Sequence, residues 1–189
     1  MTRGRILVAL ALAVPAVIGL LLASPDLSRR LGLPHSREAF PVLDRAALTA
    51  QQARVIDVVH QQFDANPPGT HFSAGIQEPW CADFVSWVLR DAGVPVSNPN
   101  NGSWRIPGVY TLAEYYKSTG RLAPADYRAK PGDVMLWGPG SPMGEHANFV
   151  VVNDGTTITT VGGNQDGGIS VRHNVIADTH GLLGYGRLA

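Results

Sequence analysis

The stretch EPWCADFVSWVLR at residues 78–90 decides the fold of this chain. Its apolar residues recur with the i, i+3/i+4, i+7 spacing of one face of an α-helix. That face carries Cys81, Phe84, Val85, Val88, Leu89 and Ala92, and the other side carries Asp83, Ser86 and Arg90. Pro79 suits the first helical position because its missing N–H is unpaired there in any case. Gly93 and Pro95 supply a stop, so the pattern predicts one helix packed on a core.

Cys81 is the only cysteine of the chain and falls in the first turn of this helix. Free backbone N–H groups and the positive end of the helix dipole favour an anion at that place. A thiol there can lose its proton near neutral pH and become a nucleophile. The alternative is a small apolar filler, since free cysteines are among the most buried residues. The position at the helix start favours the nucleophile.

Length and charge limit the classes of protein. The 189 residues can form one domain with its own core and an extension. A formal net charge of zero gives no electrostatic basis for binding nucleic acid, so we predict no nucleic-acid partner. A single cysteine excludes an intramolecular disulfide and a cysteine-based metal site.

The N-terminal segment predicts targeting. Arg3 and Arg5 precede an uncharged apolar run at residues 6–23, ILVALALAVPAVIGLLLA. A helix of that length spans about 27 Å, close to the thickness of a bilayer core. A signal peptide and a retained signal-anchor both fit the run. The basic start places the N terminus on the cytoplasmic side of the membrane and the rest of the chain on the outer side. We therefore predict an exported protein that is secreted or tethered to the membrane.

The remaining chain divides into a tether and a domain. Residues 1–24 form the signal peptide or anchor, residues 25–44 the proline-containing tether, and residues 45–189 the folded domain. Helices are predicted at 48–64, 78–90 and 110–118, and strands at 134–137, 146–152, 156–161, 169–175 and 183–188. Helices followed by antiparallel strands indicate an α+β fold.

His146 opens the central predicted strand after a glycine- and proline-containing loop. A three-residue hairpin loop at 153–155 would place His146 opposite Gly162, with Asn164 as the diagonal neighbour on the same face. A four-residue loop would shift the pairing by one residue and lose this arrangement. The shorter loop predicts a Cys81, His146 and Asn164 set, provided that the helix packs on that face.

The chemistry assigns a role to each of these residues. The thiolate of Cys81 attacks a carbonyl carbon, and His146 keeps it ionised and then protonates the leaving amine. Asn164 fixes the imidazole tautomer, with Asn148 as a rival on the same strand face. The backbone N–H of Cys81 donates to the oxyanion, and Gln77 is a candidate side-chain donor. Each residue also has a purely structural reading, for example Asn164 as a turn former.

Four motifs follow one another along the chain: Trp80-Cys81-Ala82-x-Phe84-Val85-x-Trp87, Pro131-Gly132-Asp133-Val134-x-x-Trp137, Gly144-x-His146 with Val150-Val151, and Gly163-Asn164. Together they resemble the CHAP domain, the cysteine, histidine-dependent amidohydrolase/peptidase family. The resemblance covers residues 53–189. It implies a papain-like fold with a nucleophile helix on an antiparallel sheet, and cleavage of peptidoglycan. The bond is either the amide joining muramic acid to the stem peptide or one within the peptide bridges.

The resemblance carries the nucleophile onto Cys81 and the base onto His146. Many members have Glu-Gly-Asn where this chain has Gly162, Gly163 and Asn164. Asn164 must then orient His146 alone, or another residue does so. No acidic loop of the EF-hand kind is present, so we predict no metal and no cofactor.

The predicted partner is the peptide part of peptidoglycan, with membrane anchoring through residues 6–23 and a monomeric state. A non-catalytic cell-wall-binding module that keeps the fold is the main alternative, favoured by the glycine at position 162. A metal-dependent hydrolase using His146 and His173 is a third reading, which lacks any HExxH spacing.

Overall fold

The computed structural model describes residues 37–178 and 180–188. The predicted signal peptide or anchor and residues 25–36 of the predicted tether lie outside the described residues. The chain divides into the units Met1–Arg37 and Glu38–Ala189, and the second unit holds the elements described below. Within the described ranges, no helix has the length and apolar character needed to cross a membrane.

Helices α1, α2 and α3 span Ala50–Ala65, Cys81–Asp91 and Val109–Ser118. Helix α1 starts with a capping box, in which Thr49 and Gln52 each accept from the other's backbone N–H. Helix α2 begins at Cys81, two residues later than the expected start at Pro79. Trp80 has φ −118° and ψ 18°, outside the helical region, and its carbonyl accepts the first helical bond from Phe84, 2.9 Å away.

The strands form one antiparallel sheet in the order β1-β6-β2-β3-β4-β5. Their bounds are Leu122–Ala123 for β1, Val134–Trp137 for β2, His146–Asn153 for β3, Thr157–Gln165 for β4, Gly168–Val175 for β5 and Leu182–Gly186 for β6. Helix α2 packs on β3 and β4, and α3 packs on β1, β2 and β6. The α+β prediction, with helices packed on an antiparallel sheet, is confirmed.

The sheet carries an apolar cluster on each face. The cluster under the helices includes Phe84, Val88, Ala147, Phe149 and Val161. The cluster on the opposite face includes Met135, Trp137, Val150, Ile158 and Tyr185. Because side chains alternate along a strand, β3 contributes to both clusters and is buried over its first six residues. The central position predicted for this strand therefore agrees with its burial.

The predicted register between β3 and β4 is wrong. Phe149 lies opposite Val161, whereas the expected loop would have placed it opposite Thr159. Four residues, 154–157, separate the paired Asn153 and Ile158, where three were expected between paired residues, and a register shift follows between Val150 and Val152. The Asp154 carboxylate stabilises the longer loop by accepting from the Thr157 backbone N–H, 2.7 Å away.

Residues 38–44 pack on the domain, although the sequence placed them in the tether. The Phe40 ring stacks on His60 with centroids 4.0 Å apart and meets the edge of Phe63 at 5.5 Å. The Glu38 carboxylate lies 2.7 Å from Nε2 of His173 on β5. These aromatic contacts, which no local periodicity reveals, bring this segment into the packed unit.

Candidate active site

Helix α2 brings the Cys81 thiol to the start of β3. Cys81 is the first residue of the helix and is 5% exposed. The backbone amides of Ala147, Ala82 and Cys81 itself each act to lower the pKa of the thiol, so the sulfur lies near the start of β3. Ala147 directly follows His146, so the nucleophile and base predicted from sequence lie at one junction of helix and sheet.

His146 is the first residue of β3 and pairs with Trp137 of β2. The imidazole is nearly buried, with 5% exposure. Its Nε2 atom lies 2.8 Å from Oε1 of Gln165, a residue that is also 5% exposed. Gln165 is thus the side chain that holds the ring, and the sequence interpretation missed it.

A register shift in β4 aims Gln165 at the imidazole. Gly162 pairs with Ser170 of β5, but Gln165 pairs with Gly168, so one extra residue is accommodated between Gly162 and Gln165. Such a bulge turns the following side chain to the other face of the strand. The left-handed backbone of Asn164, with φ 58°, falls within this irregular stretch.

The hairpin that follows fixes Gln165 from its other side. Asp166 and Gly167 have φ 51° and 84°, as in the type I′ turn of a two-residue hairpin. Nε2 of Gln165 donates to the Ser170 carbonyl at 2.6 Å. The Asp-Gly pair was therefore the sequence signal that could have located Gln165 at the end of a strand.

None of the other predicted site residues forms a hydrogen bond with the His146 imidazole in the described part of the chain. Asn164 is exposed and forms no hydrogen bond to His146 in the described structure. Gln77 is exposed in the loop before α2, where its proposed contact with an oxyanion stays a prediction. Asn148 is fully buried, and its amide atoms have no hydrogen-bond partner among residues 37–178 and 180–188. Asn148 is therefore not the residue that orients His146.

Trp80 fixes the start of α2 against the end of β4. A Cβ atom added at Gly163 would lie 2.2 Å from the six-membered ring of the indole. One added at Gly69 would lie 2.2 Å from Nε1 in its five-membered ring. The Gly163 Cβ would also lie 2.9 Å from Cβ of Phe84. Both glycines are therefore needed for the close approach that brings Cys81 beside β3.

An ion-pair network anchors the other side of α2. Asp83 has a fully buried side chain, and one of its carboxylate oxygens lies 2.7 Å from Nε of Arg105. Arg105 also contacts the Glu78 carboxylate. Burial raises the pKa of Asp83 to about 6, although Arg105 acts in the opposite direction. The helical pattern had placed Asp83 opposite the apolar face, but not in a buried pair.

Burial also sets the protonation of the two central groups. It raises the pKa of the Cys81 thiol above its ordinary value, and the nearby backbone amides only partly counter this effect. It lowers the pKa of His146, which the hydrogen bond to Gln165 opposes. These two shifts favour an uncharged Cys81 thiol and an uncharged His146 imidazole at neutral pH. The expectation of a thiol ionised by the helix start is not supported, because desolvation outweighs the helix terminus.

This arrangement can activate the thiol by proton transfer. A neutral imidazole is a base, and it can take the proton of Cys81 when the sulfur attacks an electrophilic carbon. Within the described part of the chain, no group of three or more His, Cys, Asp or Glu side chains is placed to hold a metal ion. A thiol at the start of a helix and a basic imidazole at the start of the strand on which it packs are the groups that such a proton transfer needs.

Comparison with protein families gives one match. Residues 73–164 match the family model described as the CHAP domain, which confirms the resemblance over this segment. The matched segment contains Cys81, His146 and Asn164 and ends one residue before Gln165. No curated protein and no solved structure matches the chain.

Proposed function

We propose that the chain is an exported cysteine hydrolase that cleaves peptidoglycan amides, because residues 73–164 match the CHAP domain, a family of cysteine- and histidine-dependent amidohydrolases. The observation that carries this proposal is the placement of Cys81 as the first residue of α2, which packs on β3, the strand that begins with His146. A cysteine that served only as core filler would need no buried histidine at the start of the strand on which its helix packs.

The reaction begins when His146 accepts the thiol proton. The Cys81 sulfur attacks the carbonyl carbon of an amide, and the tetrahedral intermediate collapses with cleavage of the C–N bond. His146 gives its proton to the leaving amine, which departs neutral. Water then attacks the thioester while His146 takes one of its protons, and the carboxylic acid and the Cys81 thiol are released.

Stabilisation of the oxyanion falls to donors at the start of α2. The backbone N–H of Cys81 belongs to the first helical turn, where amide groups lack helical partners. A donor of this kind, aimed at the developing negative charge, is the usual device of acyl transfer. Gln77, exposed in the loop before α2, is the candidate side-chain donor to the same oxyanion.

The substrate bond belongs to one of two classes. It is either the amide between muramic acid and the stem peptide or an amide within the peptide bridges. The N-terminal run at residues 6–23 supports an outside location, either as a cleaved signal or as an anchor. The wall polymer would then be the substrate nearest to the domain.

The test is digestion of purified peptidoglycan with mass spectrometry of the released muropeptides. We expect Cys81→Ala and His146→Gln each to lower release by roughly a thousandfold or more. His173→Gln is the matched control, because this histidine is half-exposed and pairs with Glu38. Unchanged release by Cys81→Ala would contradict the proposal, and loss by His173→Gln would revive the metal-dependent alternative.

One observation favours a second function, a cell-wall-binding module without catalysis. His146 has a neutral amide as its ring partner, and Gly162 stands where many relatives carry a carboxylate. A binding module predicts that the protein sediments with peptidoglycan and that Cys81→Ala does not weaken this. Binding without any muropeptide release from the unmodified protein would establish this alternative.

A further inference from the structure

We propose that Gln165 is the positioning residue that fixes the tautomer and orientation of His146. Its contribution to turnover rests on the proposed function, whereas its effect on the tautomer is a property of the folded protein alone. The proposal stands on contacts at both ends of the Gln165 amide and on the shape of β4.

The Ser170 carbonyl determines which way the Gln165 amide points. A carbonyl oxygen only accepts hydrogen bonds, so the amide atom 2.6 Å from it must be the NH2 group. The oxygen of the same amide is then the atom 2.8 Å from the imidazole. The orientation of a side-chain amide is otherwise ambiguous, and here the backbone of β5 resolves it.

The amide oxygen in turn determines where the imidazole carries its proton. An oxygen acceptor requires a donor, so Nε2 of His146 must be the protonated nitrogen. A neutral imidazole has one N–H and one lone pair, which leaves Nδ1 as the basic atom. The low pKa caused by burial keeps the ring in this neutral form. The hydrogen bonds from Ser170 through Gln165 to the ring thus select Nδ1 as the nitrogen that is free to accept a proton.

The backbone of β4 explains why Gln165 fills this role rather than Asn164. Asn164 lies in the irregular stretch with its side chain exposed, and pairing with β5 resumes at Gln165. A Cβ atom at position 162 would lie 2.9 Å from Oε1 of Gln165 and 3.2 Å from Nε2 of His146. The missing side chain at Gly162 therefore provides the space that the Gln165 amide occupies.

A neutral partner has a consequence that a carboxylate would not have. The Gln165 oxygen accepts a hydrogen bond but adds no full negative charge to stabilise the imidazolium. Gln165→Glu keeps the shape and introduces such a charge, so it should raise the pKa of His146. Because the rate falls at low pH as the imidazole becomes protonated, this fall, the acid limb of the pH–rate profile, should then occur at higher pH in Gln165→Glu.

The first test reads the tautomer directly by nitrogen-15 NMR of the histidine ring in the full chain. We expect His146 to be protonated at Nε2 in the unmodified protein and in Asn164→Gly, which tolerates the left-handed backbone. In Gln165→Ala the two tautomers should both be populated. Protonation at Nδ1 in the unmodified protein would overturn the proposal without any variant being needed.

The second test reads turnover on peptidoglycan. We expect Gln165→Ala to lower kcat by about ten- to a hundredfold with a smaller change in KM, and Asn164→Gly to have the smaller effect of the two. Gln165→Glu should restore activity and shift the acid limb upward. A larger loss in Asn164→Gly, or an unmoved profile in Gln165→Glu, would contradict the proposal. No turnover by the unmodified protein, with the tautomer as expected, would remove the hydrolase and leave the positioning intact.

Discussion

The start of α2 and the end of β4 face each other across the candidate site, and they are built on different principles. Helix α2 buries one continuous apolar stripe, which includes Phe84 and Val88. The end of β4 is irregular, with a register shift before Gln165 and a left-handed residue at Asn164. The helix carries Cys81, the proposed nucleophile, and the irregular strand carries Gln165, the side chain that contacts His146.

The comparison shows where a shift of one residue along the chain is tolerated. A helix that slips by one residue rotates its whole apolar face out of the core, so packing holds Cys81 firmly in place. A bulge moves a single side chain between faces at little expense to the core. The position of the base partner can therefore shift from one residue to the next while the nucleophile stays fixed.

The largest effect is expected from removing the packing of α2. Phe84 is fully buried, with its ring 5.1 Å from Phe72 and 6.0 Å from Phe149 between centroids. Phe84→Ala should lower the free energy of unfolding by about 3–5 kcal/mol, measured by denaturant titration. Tyr110→Ala, at a half-exposed position, is the control and should change it by less than about 0.5 kcal/mol. Equal losses in both variants would mean that α2 is not the packed element.

A smaller loss is expected at the contact between the two regions. Gly163→Ala forces a methyl group into the Trp80 indole, which cannot retreat because Gly69 lies against its other part. The free energy of unfolding should fall by about 1–3 kcal/mol. Gly140→Ala is the matched control, since its nearest neighbour would be an atom of His180 3.9 Å away. An unchanged melting temperature in Gly163→Ala would show that the start of α2 and the end of β4 do not pack this closely.

The pH dependence of Asp83 tests the polar side of α2. The pKa of this carboxyl is raised from its ordinary value of 3.8 to about 6 in the folded protein. Between pH 3.8 and about 6, the folded state therefore holds a proton that the unfolded state has already lost. This group therefore lowers the free energy of unfolding as pH rises through that window. Carbon-13 NMR of the carboxyl should give a midpoint near 6 for Asp83. Asp154, whose pKa is lowered by hydrogen bonds from Thr157 and Thr156, should titrate below the ordinary range, and an Asp83 midpoint near 4 would contradict the buried pair.

The smallest effect couples this carboxylate to the nucleophile. The charge of Asp83 raises the pKa of Cys81, but less than burial does. Asp83→Asn should therefore increase the rate of Cys81 alkylation at mildly alkaline pH by less than about tenfold. A slower alkylation would mean that the variant disturbs the helix start instead of removing a charge, and circular dichroism would distinguish the two.

Local periodicity was enough to predict most of the elements. The helix expected at 110–118 is found at Val109–Ser118, and the one expected at 48–64 is found at Ala50–Ala65. The strand Leu122–Ala123 was missed because two residues carry no pattern. Its place beside β6 depends on a partner far along the chain.

The site was only partly predictable for a related reason. Cys81 and His146 start regular elements, so their places follow from the helix and strand patterns. Gln165 reaches the imidazole through a bulge and a turn whose effect appears only when β3, β4 and β5 pair. The longer loop at 154–157 also changed the register on which the choice of Asn164 depended. Non-local pairing thus fixed the part of the site that a single sequence leaves open.

The most direct measurement of the central claim, that Cys81 and His146 share one proton, is the pH dependence of Cys81 alkylation in the full chain. We expect the unmodified protein and His173→Gln to react faster near neutral pH than His146→Gln, because the imidazole accepts the thiol proton. At strongly alkaline pH, where the thiol ionises unaided, the three rates should converge. Superimposable profiles for the unmodified protein and His146→Gln across the whole range would contradict the pairing.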